Sequence, residues 1–342
     1  MKKILLLTSY RGRFYSSTVN VKPLSTMKVD RIADLFAADG YAVEIKRFSE
    51  VDLSRSYKGV YVLYTSSEDD GLYYKSYIED IVLALKGLGA HVVPEYEFLR
   101  AHHNKVYMEI LRKRMMDEDD RLLCLTFGSL EEFKASDIPD QQYVVKKASG
   151  AGSKGVALAR DRAELTKLVE KFTRVPLISA YLREMKQRCS KRGGYENGSV
   201  HTNKVVIQEY IPYLAGDFKV LKYGFRYYVL YRKNRKGDFR ASGGGRLTFD
   251  LPKDVVLDQL LDYADCVAHK IGTPLLSMDI AFDGKKFYLL EFQCLNFGPY
   301  AAEHSVCYHM RSQNGWVRIN EPCDLERIFC EAIANYIDGD NG

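Results

Sequence analysis

The sequence predicts an α/β protein built in lobes, a small βαβ unit followed by two α+β lobes. Three observations predict it. Over the first hundred residues, apolar runs of strand length alternate with apolar residues at helical spacing. Near the middle of the chain a glycine-rich loop joins two strands. The later third is rich in short strands linked by tight turns, as in an antiparallel sheet. A chain of 342 residues is long enough to bury a sizeable core and to divide into two or three lobes.

The elements follow in order. Residues 4–7 form a buried strand, and the apolar run breaks at Thr8, too early for a signal peptide. Val29, Ile32, Ala33 and Phe36 define a helix that Gly40 stops. Val43 and Ile45 mark a strand, residues 60–64 another. Tyr77, Ile78, Ile81, Val82, Leu85 and Leu88 line a helix ended by Gly89, and residues 91–93 close the unit as a strand. This alternation argues for a parallel sheet with helices on its faces, whose strand-to-helix loops are the natural place for a ligand.

A second region opens with a charged helix over 105–116 and carries a Ser129-x-x-Glu132 capping box. A hairpin of 143–147 and 156–159 follows, and Asp161-x-x-Glu164 caps a further helix. Residues 185–201 are polar, basic and glycine-bearing, and read as a surface loop or insertion. The third region offers strands at 205–211, 218–221, 227–231, 239–241, 275–281 and 286–292, with turns at Lys236-Gly237 and Asp283-Gly284. A helix over 253–271 interrupts them, and a last helix spans 325–337. The expected division is an N-terminal lobe over 1–102, a second lobe over 103–207 and a C-terminal lobe over 208–342.

Composition excludes several classes. With 46% hydrophobic and 28% charged residues the chain is not disordered, and no apolar run approaches membrane-spanning length. The net charge of +5 suits a polyanionic small ligand but is too small to demand nucleic acid. The 25 tyrosines are spread along the chain, as strand and interface residues are, rather than gathered for base stacking. Seven scattered cysteines without a C-x-x-C pair indicate neither a zinc site nor a disulfide framework. A soluble, cytoplasmic protein is expected.

The chemistry-bearing residues begin at Lys146, followed by a loop containing Gly150, Gly152, Ser153, Lys154 and Gly155. This G-x-G-x-x-G precedes a strand rather than a helix, so it is not a dinucleotide fingerprint. No G-x-x-x-x-G-K-[ST] motif is present, and the protein-kinase H-R-D and D-F-G motifs are missing. What remains is a glycine loop between strands with a lysine on the incoming one, either a mobile turn or a phosphate cradle. Asp217 and Lys219, two apart on a strand, share a face that suits a ribose hydroxyl and a phosphate, or an ordinary ion pair. Arg232, Arg235 and Arg240 precede Gly243-Gly244-Gly245-Arg246 and either grip an anion or form a solvated edge. Asp279 and Glu291 stand in two neighbouring apolar strands. Two such acids repel unless a cation lies between them, and magnesium bridging carboxylates and phosphates answers that need.

In this order the motifs resemble the ATP-grasp superfamily, most nearly the carboxylate–amine ligases that add glutamate to a ribosomal protein, and more distantly D-alanine–D-alanine ligase. The resemblance spans nearly the whole chain. It implies an ATP-grasp fold and a set of site residues. Lys105 and Lys146 would contact ATP phosphates under Gly150, Gly152, Ser153 and Gly155. Gln208, Glu209, Tyr210 and Ile211 would frame the adenine, and Asp217 the ribose. Lys219 and Arg240 would stabilise the transferred phosphoryl group and an acyl phosphate. Asp279, Glu291 and Gln293 would hold one or two magnesium ions, with manganese as an alternative. The family usually has Glu-x-Asn where this chain has Glu291-Phe292-Gln293, so Asn296 is a rival third ligand.

The implied activity is ATP-dependent ligation of a small-molecule or peptide carboxylate to an amine, such as an amino acid, with release of ADP and phosphate. A kinase on the same fold and a catalytically silent nucleotide-binding regulator are the alternatives. Cys294, His304 and His309 follow the metal motif as candidate substrate contacts or plain packing residues. The resemblance also leaves a homodimer open. The basic residues near 186–192 and 240–246 suggest an acidic acceptor.

Overall fold

The computed structural model describes residues 2–19, 22–118, 121–150, 155–175, 178–190, 198–241 and 243–339. The N-terminal lobe contains β1 (Lys3–Thr8), a hairpin of β2 (Phe14–Val19) and β3 (Lys22–Met27), α1 (Val29–Ala38), β4 (Ala42–Arg47), β5 (Val60–Tyr64), α2 (Tyr73–Gly87) and β6 (His91–Val93). Its sheet runs β4-β1-β5-β6 with every pairing parallel. Alternation along the strands splits the burial between two faces. Ile4, Leu6, Tyr61 and Leu63 face one core, and Leu5, Leu7, Val62 and Tyr64 face another under α2.

Two helices bridge to the rest, α3 (Tyr96–Ala101) and α4 (Lys105–Met115), the latter capped by Asn104, whose side chain accepts from the Tyr107 N–H. Next come β7 (Cys124–Phe127), α5 (Leu130–Lys134), β8 (Tyr143–Lys147), β9 (Val156–Ala159), α6 (Arg162–Thr173), α7 (Ile178–Cys189) and β10 (Val205–Glu209). These strands form an antiparallel sheet in the order β7-β10-β8-β9. The Ser129–Glu132 capping box is closed in both directions.

The C-terminal lobe adds β11 (Gly216–Tyr223), β12 (Arg226–Lys233), β13 (Leu247–Thr248), α8 (Leu257–Ile271), β14 (Leu275–Phe282), β15 (Phe287–Gln293), α9 (Tyr300–Glu303), β16 (Tyr308–Ser312), β17 (Gly315–Ile319) and α10 (Leu325–Gly339). Its antiparallel sheet runs β15-β14-β11-β12-β16-β17, with β13 also on β12. One face packs on α8 and α4 through Leu260, Val267, Met108 and Leu111. The other packs on α10, whose Ile328, Phe329 and Ile333 share a core with Ile4, Phe36 and Tyr61 of the first lobe. Among the described residues, no helix is long and apolar enough to cross a membrane.

Several sequence expectations are corrected. Residues 185–189 are the end of α7 rather than loop, and 191–197, with Lys191 and Arg192, lie outside the described residues. Residues 239–241 are not a strand, because the Arg240 backbone and guanidinium both turn back onto Asp238. The helix expected from 253 begins at Leu257. The Asp283-Gly284 turn joins β14 to β15, whereas Lys236-Gly237 sits in a longer connection. The β2–β3 hairpin, β7 and the β16–β17 hairpin carry too little alternation to be read from sequence.

Candidate active site

The second-lobe residues expected at the site and those of the C-terminal sheet meet in one cleft of about 1520 Å³. Its floor is made by β11, β14 and β15, and its roof by β8, the start of the glycine loop and the segment after β10. Lys105, Lys146, Gly150, Gln208, Glu209, Tyr210, Ile211, Asp217, Lys219, Arg240, Asp279, Glu291 and Gln293 all line it. Gly155 does not, and Gly152 and Ser153 lie outside the described residues.

The register of the C-terminal sheet arranges the charges. Pairing of β11 with β12 sets Asp217 opposite Arg232, and pairing of β11 with β14 sets Lys219 opposite Asp279. Asp279 is in turn opposite Glu291 on β15, next to a bulge. The result is a chain of ion pairs. Arg232 grips both oxygens of Asp217 at 2.6 and 2.8 Å and reaches Asp279 at 2.8 Å. Lys219 Nζ donates to Asp279 at 3.0 Å, and Lys105 Nζ lies 3.2 Å from Glu291. A ribose contact by Asp217 would therefore compete with a bidentate arginine.

Burial and charge pull the acids in opposite directions. For Asp279 burial favours the neutral form, but Arg232 and Lys219 overcome it and hold the carboxyl well below its ordinary value. Glu291 behaves likewise, burial being outweighed chiefly by Lys105, so its value is lowered. Asp217 goes the other way. Burial dominates there, Arg232 opposes it only in part, and the value is raised.

Lys146 projects from β8 and is buried. Burial lowers its pKa against the pull of Glu291, and among the described residues no carboxylate stands within ion-pair distance of its ammonium. Such an ammonium is poised for an anion brought in from solution. Lys105 is fastened to the glycine loop twice, its N–H donating to the Ala148 carbonyl at 2.8 Å and its Nζ to the Gly150 carbonyl at 3.0 Å. Gly150 has φ +116°, which side chains rarely adopt. Arg240 is forked onto Asp238 and also donates to the Val156 carbonyl at 3.3 Å, which carries it beneath the hairpin.

At the end of β10 the Glu209 N–H donates to the Leu123 carbonyl, and just beyond it the Tyr210 N–H donates to the Gln142 carbonyl. The Gln208 Nε2 and Ser277 Oγ atoms are buried in the cleft with no hydrogen-bond partner among the described residues. Buried polar atoms are rarely left so, and here they mark where a polar ligand would sit.

Asn296 is corrected as a metal-ligand candidate. It is buried outside the cleft, its Oδ1 accepting from the Ser66 N–H at 2.9 Å and its Nδ2 donating to Thr65 Oγ1 at 3.1 Å. Cys294 is buried in the core, and burial pushes its thiol up. His304 stacks on Tyr300 away from the cleft. Sequence reasoning gave Arg232 no settled role, although Asp217 and Arg232 are equidistant from the Tyr223–Arg226 turn and a hairpin register would have paired them. The buried Glu109–Arg112 pair of α4, which ties that helix to the Leu289 carbonyl beside the site, was also missed. Its i,i+3 spacing was the available signal.

Asp279 and Glu291, adjacent and flanked by the amide of Gln293, form a hard oxygen donor set, which fits magnesium. Lys105 and Lys219 now neutralise them and would pass to phosphate oxygens in the presence of such an ion.

No protein-family model and no curated protein matches the sequence. Among solved structures, the D-cycloserine synthetase DcsG is similar at TM-score 0.53 and 13% identity, over 97% of this chain and 99% of that one. A RimK domain ATP-grasp protein from Sphaerobacter thermophilus is similar at TM-score 0.51 and 11% identity, again over 97% and 99%. At these identities the likeness is one of fold.

Proposed function

This chain has the ATP-grasp fold, and we propose that it is a magnesium- and ATP-dependent ligase joining a carboxylate to an amine through an acyl phosphate. One observation carries the reading. Lys105, Lys146, Lys219, Arg232 and Arg240 line a single cleft together with two cross-strand acids, Asp279 and Glu291. A binding module would not need a second set of cations beyond those that face the nucleotide phosphates. A synthetase among the structural neighbours accords with this.

The residues divide the work. Lys146 and Lys105 bind and orient the β- and γ-phosphates, and the loop at Gly150 excludes water above them. Gln208 Nε2 and the Ile211 N–H, which has no partner among the described residues, take the adenine edge. Asp279, Glu291 and Gln293 would hold magnesium, which neutralises phosphate charge when bound. Lys219 and Arg240 stabilise the transferred phosphoryl group as the substrate carboxylate attacks it. Arg232 positions Lys219's partner Asp279 and keeps it ionised. An amine then displaces phosphate from the activated carbonyl. Positioning and positive charge supply the catalysis, and no side-chain nucleophile is required. The seven cysteines, all free, suit a reducing compartment, and we place the reaction in the cytoplasm.

The test is ADP and phosphate release from MgATP with pooled amino acids and short acidic peptides, followed by mass spectrometry. The expected product has the mass of acid plus amine minus water. A phosphorylated product would replace this reading with a kinase. Asp279→Asn and Glu291→Gln should each lower turnover by about a hundredfold or more with unchanged circular dichroism. Near-normal turnover in both variants would remove the acids from the site.

A further inference from the structure

A second cluster lies where the N-terminal lobe meets the cleft, between the loop after β5, which carries Glu68, and the turn between α3 and α4, which carries His102 and His103. There Glu68 Oε1 stands 3.4 Å from His103 Nε2 and 3.8 Å from His102 Nε2. One donor atom from each of the three residues falls within 4.8 Å of the others. All three are largely shielded, with side-chain exposures of 14% for Glu68, 1% for His102 and 11% for His103. From these residues we infer a site for one zinc-type divalent transition-metal ion, distinct from the magnesium acids on β14 and β15.

The unpartnered His102 nitrogen carries the argument. Its Nδ1 is 2.9 Å from Ser66 Oγ, and Ser66 is itself pinned through its N–H to Asn296. That contact fixes the ring and aims Nε2 at Glu68. Yet Nε2 is buried and has no hydrogen-bond partner among the described residues, and 3.8 Å is too far for a proton to bridge it to the carboxylate. Leaving such a nitrogen against a shielded carboxylate is costly unless something lies between them. A tetrahedral ion with ligands at about 2.0–2.1 Å separates its donor atoms by about 3.3 Å, close to the 3.4 and 3.8 Å that separate Glu68 Oε1 from the two imidazoles. The serine contact is the kind of second partner that orients a ligating imidazole. Two imidazoles and one carboxylate select a zinc-type ion over magnesium or calcium.

Two neighbouring histidines reach one ion only if the backbone turns sharply between them. His103 has φ +53°, in the left-handed region, and the two rings stand nearly perpendicular at 4.5 Å. Three protein ligands leave a coordination position for a substrate heteroatom. His103 lines the main cleft, and Glu68 lines a second cavity of about 970 Å³ formed by the loops after β1 and β5. An ion between them would face both spaces and could hold an acceptor amine or carboxylate arriving through the N-terminal lobe.

The experiment uses tag-free full-length protein, stripped with chelator and titrated with Co²⁺ in excess Mg²⁺, without nucleotide. One equivalent should bind, giving the visible absorption of four-coordinate cobalt without a thiolate charge-transfer band. His103→Ala and Glu68→Gln should each weaken binding by about tenfold or more, while Asp279→Asn should bind as the parent does. Thermal melting verifies that each variant is folded, and Glu68→Gln preserves side-chain shape should His103→Ala fail. Absence of stoichiometric binding would overturn the proposal, leaving a proton-only cluster. So would binding that survives both variants or that disappears in Asp279→Asn. None of these readouts requires ATP turnover, so the ligase reading stands or falls separately.

Discussion

Arg232 holds two carboxylates, forked onto Asp217 and reaching Asp279, while largely withdrawn from water. Removing it would leave one buried acid with no cation and the other with Lys219 alone. Arg232→Met should therefore destabilise the protein by on the order of 3 kcal/mol in urea unfolding, whereas Arg232→Lys, which keeps charge but loses the fork, should fall between the two. The acids also give a pH signature. Asp279 and Glu291 have folded-state values below their unfolded ones. Their contribution is complete above the unfolded values and is lost as pH falls through the folded ones. Melting temperature should decline below about pH 5, and decline less steeply in Asp279→Asn. An equal slope in the variant would show that Asp279 is not what titrates. At this scale the sequence was informative about residue identity but not about partnership. Lys146, Asp279 and Glu291 stand out as charges in apolar strands. That Asp217 is saturated by arginine, and Asn296 by Ser66 and Thr65, depends on register and on contacts across more than two hundred residues.

At the scale of elements, the hairpin of β11 and β12 sets the site's geometry, and Gly216 opens it. A Cβ there would collide with the Arg232 carbonyl and the Tyr231 ring. Gly216→Ala should push the strand ends apart, displace the Asp217–Arg232 pair, and weaken nucleotide binding along with stability. Calorimetric titration with a non-hydrolysable ATP analogue, read beside the melting temperature, checks both. Unchanged affinity would show that the strand end can move without disturbing the cleft. Elements with strong periodicity were legible from sequence. The four parallel strands, α4 and the 143–147 and 156–159 hairpin follow from alternation and caps. The β16–β17 hairpin and α7 were not, since their faces are mostly half-exposed or exposed and carry little contrast.

At the scale of the whole molecule, Asn296 joins the C-terminal sheet to the first lobe, its amide spent on the backbone and side chain of Ser66 and Thr65. Asn296→Ala would orphan the buried Ser66 N–H and should cost about 1–3 kcal/mol in urea unfolding. If the cost is absent, the junction is held by apolar packing alone. That packing is extensive. The sheet face bearing Ile4, Leu6, Tyr61 and Leu63 shares its core with Leu221, Tyr228, Ile328, Phe329, Ile333 and Ile337. During synthesis, a ribosome emitting the first hundred residues produces a βαβ unit with one hydrophobic face only partly covered, by Ile32 and Phe36 of α1. That face meets its complement only when α10 leaves the exit tunnel, more than two hundred residues later. Full protease protection of arrested nascent chains should therefore come late for this face, only after α10 has emerged.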